Sequence, residues 1–205
     1  MSRLFDRAPA LQYRDFRLLW FGQMVSAVGT QMQIVAINWH VYALLRGESF
    51  VVTLGERSLS LGADALALGG LGLVRILPII FFALFGGIAA DMWDRRRIML
   101  VSQSMAALVA ATLAVITLDG NATVGALYLL TAAGSATNAF DNPARQSFVS
   151  EVVPIKLLPN AVGLNSTSFN GARLIGPGLA GVMVAAVGVG PTLLINGLSF
   201  FAFIG

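Results

Sequence analysis

The charged residues of this sequence fall into a few short clusters, and the runs between those clusters are long and apolar. A helix needs about 20 apolar residues to cross a hydrocarbon core of about 30 Å, and several of these runs reach that length. The chain is 57% hydrophobic and only 11% charged, whereas soluble domains carry about 25% charged residues. The pattern therefore predicts an all-α integral membrane protein built as a bundle of six transmembrane helices.

Six membrane spans are predicted in a single transmembrane domain that covers residues 1–205. They lie at residues 16–45, 65–90, 98–118, 121–140, 159–187 and 191–205. From Thr192 onward the last span offers only about 21 Å of helix, which is short of a core of about 30 Å. We therefore expect the sixth helix to be truncated and the chain to be part of a longer protein.

Basic residues are enriched on alternate sides of the predicted spans, and this bias sets membrane orientation. Arginines cluster before the first span and at residues 95–97, and Arg145 and Lys156 follow the fourth span. The opposite side carries only Arg46 and Arg57. The N-terminus and the connections at 91–97 and 141–156 are therefore predicted to be cytoplasmic, in a plasma or inner membrane.

Composition disfavours several classes of function. The chain contains no Cys and one His, so we expect neither a metal site nor a cofactor, and no catalytic set that would make it an enzyme. No phosphate-binding GxxxxGK[ST] loop occurs. Nucleic acid is not an expected partner either, because the basic residues lie between apolar runs and not along one exposed face.

Residues 86–100, GGIAADMWDRRRIML, contain more charge than orientation requires. The arginines orient the connection, but acidic residues contribute little to orientation, so Asp91 and Asp94 need another explanation. In a continuing helical turn Asp91 and Arg95 would share a face and pair. Gly86 and Gly87 would let a second helix approach closely.

The spacing of Gly87, Asp91, Arg95 and Arg96 resembles the cytoplasmic loop signature of the major facilitator superfamily, which lies between the second and third helices. Met92 and Asp94 depart from the usual signature. The Asp94 form is similar to an exporter branch that includes carriers of drugs and enterobactin-type siderophores.

The fifth span, GLNSTSFNGARLIGPGLAG at residues 163–181, is similar to a glycine- and proline-rich pattern of exporters in that superfamily. The matching positions are Gly163, Ala172, Gly176, Pro177, Ala180 and Gly181, with Ala in place of Gly twice. Ordinary packing of small residues beside a proline kink is the alternative explanation.

The resemblance implies the N-terminal half of a twelve-helix carrier, with two inverted three-helix repeats. It implies export of a small molecule by alternating access, driven by protons. Expected partners are the lipid bilayer, the substrate, protons and the C-terminal half. A conformational latch is expected at Gly87, Asp91, Arg95, Arg96 and Asp141. Within it Asp91, Arg95 and Asp141 are expected to form a charge cluster, unless Asp141 is simply a solvated loop residue. The competing hypothesis is a six-helix membrane subunit that binds a partner and transports nothing.

Several polar residues within the predicted spans are candidates for substrate binding or coupling, because buried polar groups in membranes usually face a partner or a cavity. Arg75 either binds an anionic substrate or pairs with a relay carboxylate, although no Asp or Glu lies deep in a predicted span. Asn38 faces away from Gln33 and His40, so one side of the first helix at most faces a central cavity. His40 either couples protons or packs by hydrogen bonding. Asn138 and Arg173 complete the set.

The triplet at Asn142–Ala144, NPA, is also found in water channels, which need two copies on facing half-helices. Only one copy occurs here. We therefore expect a turn that closes the fourth helix.

Overall fold

The computed structural model describes residues 8–54 and 57–200, and within these ranges it describes no side chains for residues 50–54 and 57–59. Six α-helices run through the described ranges, which confirms the all-α class. Their bounds are α1 Arg14–Leu45, α2 Ala63–Met92, α3 Arg95–Leu118, α4 Val124–Val152, α5 Leu158–Val187 and α6 Val189–Ser199. Single turns of 3-10 helix precede α1, at Pro9–Gln12, and α5, at Ile155–Leu157.

A β-hairpin that the sequence analysis did not anticipate connects α1 to α2. Strand β1, Ser49–Leu54, pairs antiparallel with β2, Arg57–Gly62. The hairpin marks one end of the bundle, which we call the hairpin end. The opposite end carries the short connection between α2 and α3 at residues 93–94, and we call it the loop end.

Three of the described helical segments are long and apolar enough to cross a membrane by length and composition alone. They are Ala63–Met92, Arg95–Leu118 and Ile155–Val187. Helices α1 and α4 are comparably long, at 32 and 29 residues, but polar side chains interrupt them. The assignment of all six helices as spans stays a prediction, and residues 201–205 of the sixth span lie outside the described residues.

The helices pack around α1 and α4. Helix α1 contacts α5, α6 and α2, whereas α4 contacts α2 and α3. The closest approach of α2 to α4 occurs at Gly86, where a Cβ atom would collide with the backbone carbonyl of Ala139. Gly176 of α5 likewise lies directly against Gln31 and Val28 of α1.

Two apolar clusters occupy opposite ends of the bundle. At the loop end, Phe16, Ala90 and Val149 belong to a buried cluster that also includes the turn at Pro9–Gln12. At the hairpin end, Leu71 and Leu113 belong to a second cluster. Burial of such side chains contributes about 1.5–3 kcal/mol each in water, although inside a bilayer close packing has to supply most of the stabilisation.

Candidate functional site

A polar layer separates the two apolar clusters and encloses a cavity of about 250 Å³. Helices α1 to α4 supply most of its wall, and Phe169 of α5 and Phe200 complete it. The buried polar residues that line it are Gln23, Ser26, Ser102, Gln103, Thr131, Ser135, Asp141 and Arg145. Buried polar groups are costly unless they are hydrogen-bonded, so a layer of them between apolar clusters points to a functional site.

Helix α4 does not end at Phe140, and the predicted turn at Asn142–Ala144 is wrong. The helix continues through Pro143 to Val152. Proline has no N–H for the bond to the carbonyl four residues earlier, which leaves the Ala139 carbonyl without its helical donor. Gly86 of α2 lies against that carbonyl, so close helix packing covers the defect.

The continuation of α4 places Asp141 inside the bundle, where only 4% of the residue is exposed. The expectation that no acidic residue lies deep in the chain's helices is therefore wrong. Asp141 lies eleven residues before the end of α4, which is about 16 Å of helix. The alternative of a solvated loop aspartate is excluded by its burial.

Arg145, one helical turn further along α4, is the charged partner of Asp141. Its Nε donates to Asp141 Oδ2 at 3.1 Å, and its Nη2 donates to the same oxygen. Both side chains are nearly inaccessible to solvent, with 7% and 6% exposed. The spacing of four residues between an acid and an arginine was the signal in the sequence that would have revealed this pair.

A chain of hydrogen bonds connects this ion pair to two other helices. Gln103 of α3 donates from Nε2 to Asp141 Oδ1 at 3.2 Å. Ser26 of α1 donates from Oγ to Gln103 Oε1 at 3.4 Å. The Asp141 carboxylate therefore accepts hydrogen bonds from both α3 and Arg145, and Gln103 extends the chain to α1.

Gln23 lies one turn before Ser26 and also faces the cavity. Only 2% of the residue is exposed, and neither side-chain polar atom has a hydrogen-bond partner among the described residues. The hydroxyl of Thr131 is buried in the same way. Each such group costs about 1–3 kcal/mol when it stays unpaired, so these atoms are suited to bind water or a solute.

The predicted cluster of Asp91, Arg95 and Asp141 is not formed in this structure. Arg95 Nη1 contacts Glu151 Oε1 at 2.6 Å instead, and the two side chains are 36% and 47% exposed. Asp91 is exposed and forms no ion pair within the described part of the chain.

The geometry of the α2–α3 connection explains this difference. The continuing helical turn that would pair Asp91 with Arg95 does not exist, because α2 ends at Met92 and Trp93 is extended. Asp94 then caps α3 and accepts hydrogen bonds from the backbone N–H groups of Arg96 and Arg97 at 2.8 and 3.4 Å. This capping role accounts for Asp94. Gly87 has no atom near its Cβ position, so Gly86 alone makes the close contact.

Arg75 of α2 points into the cavity and binds α1. Its Nη2 donates to Asn38 Oδ1 at 2.8 Å and to the Ile34 carbonyl at 3.4 Å. Both partners are neutral.

The other candidates divide between the cavity and the packing between helices. Gln33 lines the cavity and accepts a hydrogen bond from Asn196 of α6. Asn138 also lines it and donates to the Gly134 carbonyl at 3.1 Å. His40 does not line it, because its Nδ1 lies 3.4 Å from Thr117 Oγ1 of α3. Arg173 is exposed on the outer side of α5.

The residues of the glycine-rich pattern in α5 lie on two faces of the helix, one buried and one exposed. Ala172, Gly176 and Ala180 recur every four residues and are buried against α1. The remaining members, Gly163, Pro177 and Gly181, are exposed. Within the described residues no group of three or more potential metal ligands occurs.

Comparison with known proteins gives the same family throughout. A family model described as "transmembrane secretion effector" matches residues 7–205. The staphyloferrin A transporter of Staphylococcus aureus is 27% identical over 67% of this chain and 35% of its own length. The multidrug efflux pump Tap of Mycolicibacterium fortuitum is 28% identical over 83% of this chain and 39% of its own length.

A third relative, the uncharacterised MFS-type transporter YfiS of Bacillus subtilis, is 27% identical over 87% of this chain and 38% of its own length. The chain therefore spans less than two fifths of the length of these relatives. All three carry the names of transporters.

Proposed function

Because this chain belongs to the major facilitator superfamily, in the family of transmembrane secretion effectors, we propose that it forms the N-terminal half of a proton-coupled exporter. The substrate is a small drug-like or siderophore-like molecule, and transport proceeds by alternating access. The names of the relatives, among them a multidrug efflux pump, support the direction of transport.

The buried pair of Asp141 and Arg145 in the central cavity is the observation that carries this proposal. A carboxylate held by a single arginine in an apolar bundle is stable while both groups are charged. A proton on Asp141 would remove the attraction and release Arg145, which makes the pair sensitive to a proton gradient. Gln103 and Ser26 would pass this change to α3 and α1.

The latch that we propose is located at the loop end. Arg95 at the start of α3 and Glu151 near the end of α4 hold these two helices together in this conformation. In the opposite conformation Arg95 would exchange Glu151 for Asp91, which is exposed here and lies just across the connection. Arg96 would stabilise the same acidic side chain.

The exposed faces of α2 and α5 suggest different environments. Helix α2 exposes large apolar side chains such as Leu77, Ile80 and Leu84, which suit the lipid bilayer. Helix α5 exposes glycines together with Asn170 and Arg173, which suit the C-terminal half of a carrier. We place the protein in the inner membrane with its N-terminus in the cytoplasm, as the distribution of basic residues predicts.

An efflux assay tests the proposal. Cells that express the protein as its gene encodes it are loaded in separate experiments with a cationic dye, ethidium, or an anionic dye, carboxyfluorescein, and efflux is followed by fluorescence. We expect the protein to accelerate efflux, and an uncoupler to abolish the acceleration. Export that continues after the gradient collapses would contradict proton coupling. A protein that inserts in the membrane without accelerating the efflux of any dye would favour the non-transporting subunit.

A further inference from the structure

Arg75 is a charge in the cavity without an acidic partner in the part of the chain that the structure describes. Arg145 is paired with Asp141, and Arg95 is paired with Glu151. Arg75, in contrast, contacts only the amide oxygen of Asn38 and the carbonyl of Ile34. The groups that line the cavity therefore include two arginines and one aspartate, with an excess of positive charge.

An uncompensated guanidinium is expensive in an apolar bundle. A charged side chain at the centre of a membrane helix is costly to insert, and neutral acceptors offset only a part of that cost. Arginine cannot lose its proton to escape the cost. A bound anion would compensate the Arg75 charge that its neutral partners leave uncompensated.

The way in which Arg75 is held leaves donors for such an anion. Nη2 makes both hydrogen bonds to α1, whereas Nε and Nη1 form none within the described residues. The bonds to Asn38 and Ile34 fix the guanidinium plane before a ligand arrives. A pre-positioned guanidinium is well suited to carboxylate and other oxyanion groups.

The surroundings of Arg75 determine what the rest of the ligand must be. Ile79, one turn further along α2, lines the cavity, and so do Ile34 and Ile37 of α1. Thr131 adds a buried hydroxyl without a partner. These walls suit an apolar body attached to the anionic group.

From this arrangement we propose that the exporter's substrate is an organic anion with an apolar body, and that Arg75 binds its oxyanion. The inference rests on the proposed transport function, which gives the cavity its purpose. The anion site is separate from the proton site. Gly86, which lies against α4 next to Asp141, follows Arg75 by eleven residues, or about 16 Å of helix.

Three probes with one naphthalene body test the charge preference: 2-naphthoate, the neutral 2-naphthamide and the cationic 2-naphthylmethylammonium. Binding to the purified protein in lipid nanodiscs is measured by calorimetry, with empty nanodiscs as the blank. We expect naphthoate to bind at least tenfold more tightly than naphthamide, which corresponds to about 1.4 kcal/mol. The cation should bind most weakly.

Arg75→Gln should reduce the preference for naphthoate over naphthamide to less than about twofold, which is about 0.4 kcal/mol. Gln can still bind Asn38, and the variant removes a costly charge, so its fold should persist. Arg46→Gln is the matched control, because it removes an exposed arginine at the hairpin end, outside the cavity, and should leave the tenfold preference intact.

Equal affinities for naphthoate and naphthamide in the unmodified protein would overturn the inference without any variant. Tighter binding of the cation, or a preference that survives Arg75→Gln, would overturn it too. Dye efflux in cells, with anionic carboxyfluorescein beside cationic ethidium, is scored separately. An anion preference that depends on Arg75 without any dye efflux would reject export and keep the anion site, and the reverse result would reject the anion site alone.

Discussion

Among the residues that the structure describes, helix α4 contributes to two ion pairs whose environments are opposite. Asp141 and Arg145 lie one turn apart on α4 and are buried in the cavity wall. Arg95 and Glu151 join α3 to α4 at the loop end, where more than a third of each side chain is exposed. Loss of one partner from a buried pair costs about 3–5 kcal/mol, whereas an exposed pair contributes about 0–1 kcal/mol.

The difference suggests a division of labour. Breaking and re-forming the exposed pair costs little free energy, which suits the proposed latch, in which Arg95 exchanges its partner. The buried pair resists rearrangement as long as both groups are charged, which suits the coupling step that we propose for it. The predictions below test that division, starting with the largest expected effect.

Asp141→Asn should destabilise the protein by about 3–5 kcal/mol, because it removes the carboxylate charge that pairs with the buried Arg145. Unfolding in detergent, followed by circular dichroism, measures this loss. The double variant with Arg145→Gln should recover most of it, because both charges are then gone. A single variant as stable as the unmodified protein would show that the pair is not buried as described.

Gly86→Ala should destabilise the protein by about 1–3 kcal/mol, because the added methyl group would collide with the Ala139 carbonyl and push α2 away from α4. That displacement would also loosen the packing around the buried pair of Asp141 and Arg145. Gly87→Ala is the matched control, since nothing lies near its Cβ position, and its effect should stay within about 0.5 kcal/mol. Equal effects of both substitutions would contradict the packing of α2 on α4.

Glu151→Gln should change the stability by at most about 1 kcal/mol, because Arg95 remains hydrated when its partner loses charge. The difference between this variant and the unmodified protein should shrink further at high salt, which screens exposed pairs. The same salt series on Asp141→Asn should leave its larger deficit nearly unchanged. A salt-insensitive loss for Glu151→Gln would indicate that the exposed pair is more shielded than its surface area shows.

Asp91→Asn should leave the stability in this conformation within about 0.5 kcal/mol, because the side chain is exposed and forms no ion pair here. Dye efflux should nevertheless fall several-fold, since the proposed latch needs Asp91 as the second partner of Arg95. Asp119→Asn, an exposed acid at the hairpin end, is the control. Full efflux by Asp91→Asn would remove the role of Asp91 in the latch.

The helices were predictable because length and charge spacing decide them. The predicted second, third and fifth spans agree with α2, α3 and α5 to within three residues at each end. A run of apolar residues bounded by charged residues leaves the backbone no other way to satisfy its hydrogen bonds in a membrane. The same rules could not resolve which side of α1 faces the cavity.

The buried pair was missed because a local rule conflicted with tertiary packing. Asn142 and Pro143 are a common stop for a helix, and the sequence does not show that Gly86 of α2 would cover the carbonyl freed by the proline. Once α4 continues, Asp141 moves from a predicted loop into the cavity. The predicted cluster of Asp91, Arg95 and Asp141 was wrong for the opposite reason. The prediction continued a helix from Asp91 to Arg95, whereas Trp93 and Asp94 interrupt the helix there.

The coupling role of the buried pair is tested most directly by proton-driven export in proteoliposomes. The unmodified protein, Asp141→Asn and Glu151→Gln are each reconstituted, and a pH gradient is imposed across the membrane. Uphill movement of 2-naphthalenesulfonate, an organic anion that keeps its charge across the pH range used, is then compared with its exchange at equilibrium. We expect Glu151→Gln to retain uphill transport, and Asp141→Asn to lose it while still exchanging substrate. Uphill transport by Asp141→Asn at the unmodified rate would contradict the account.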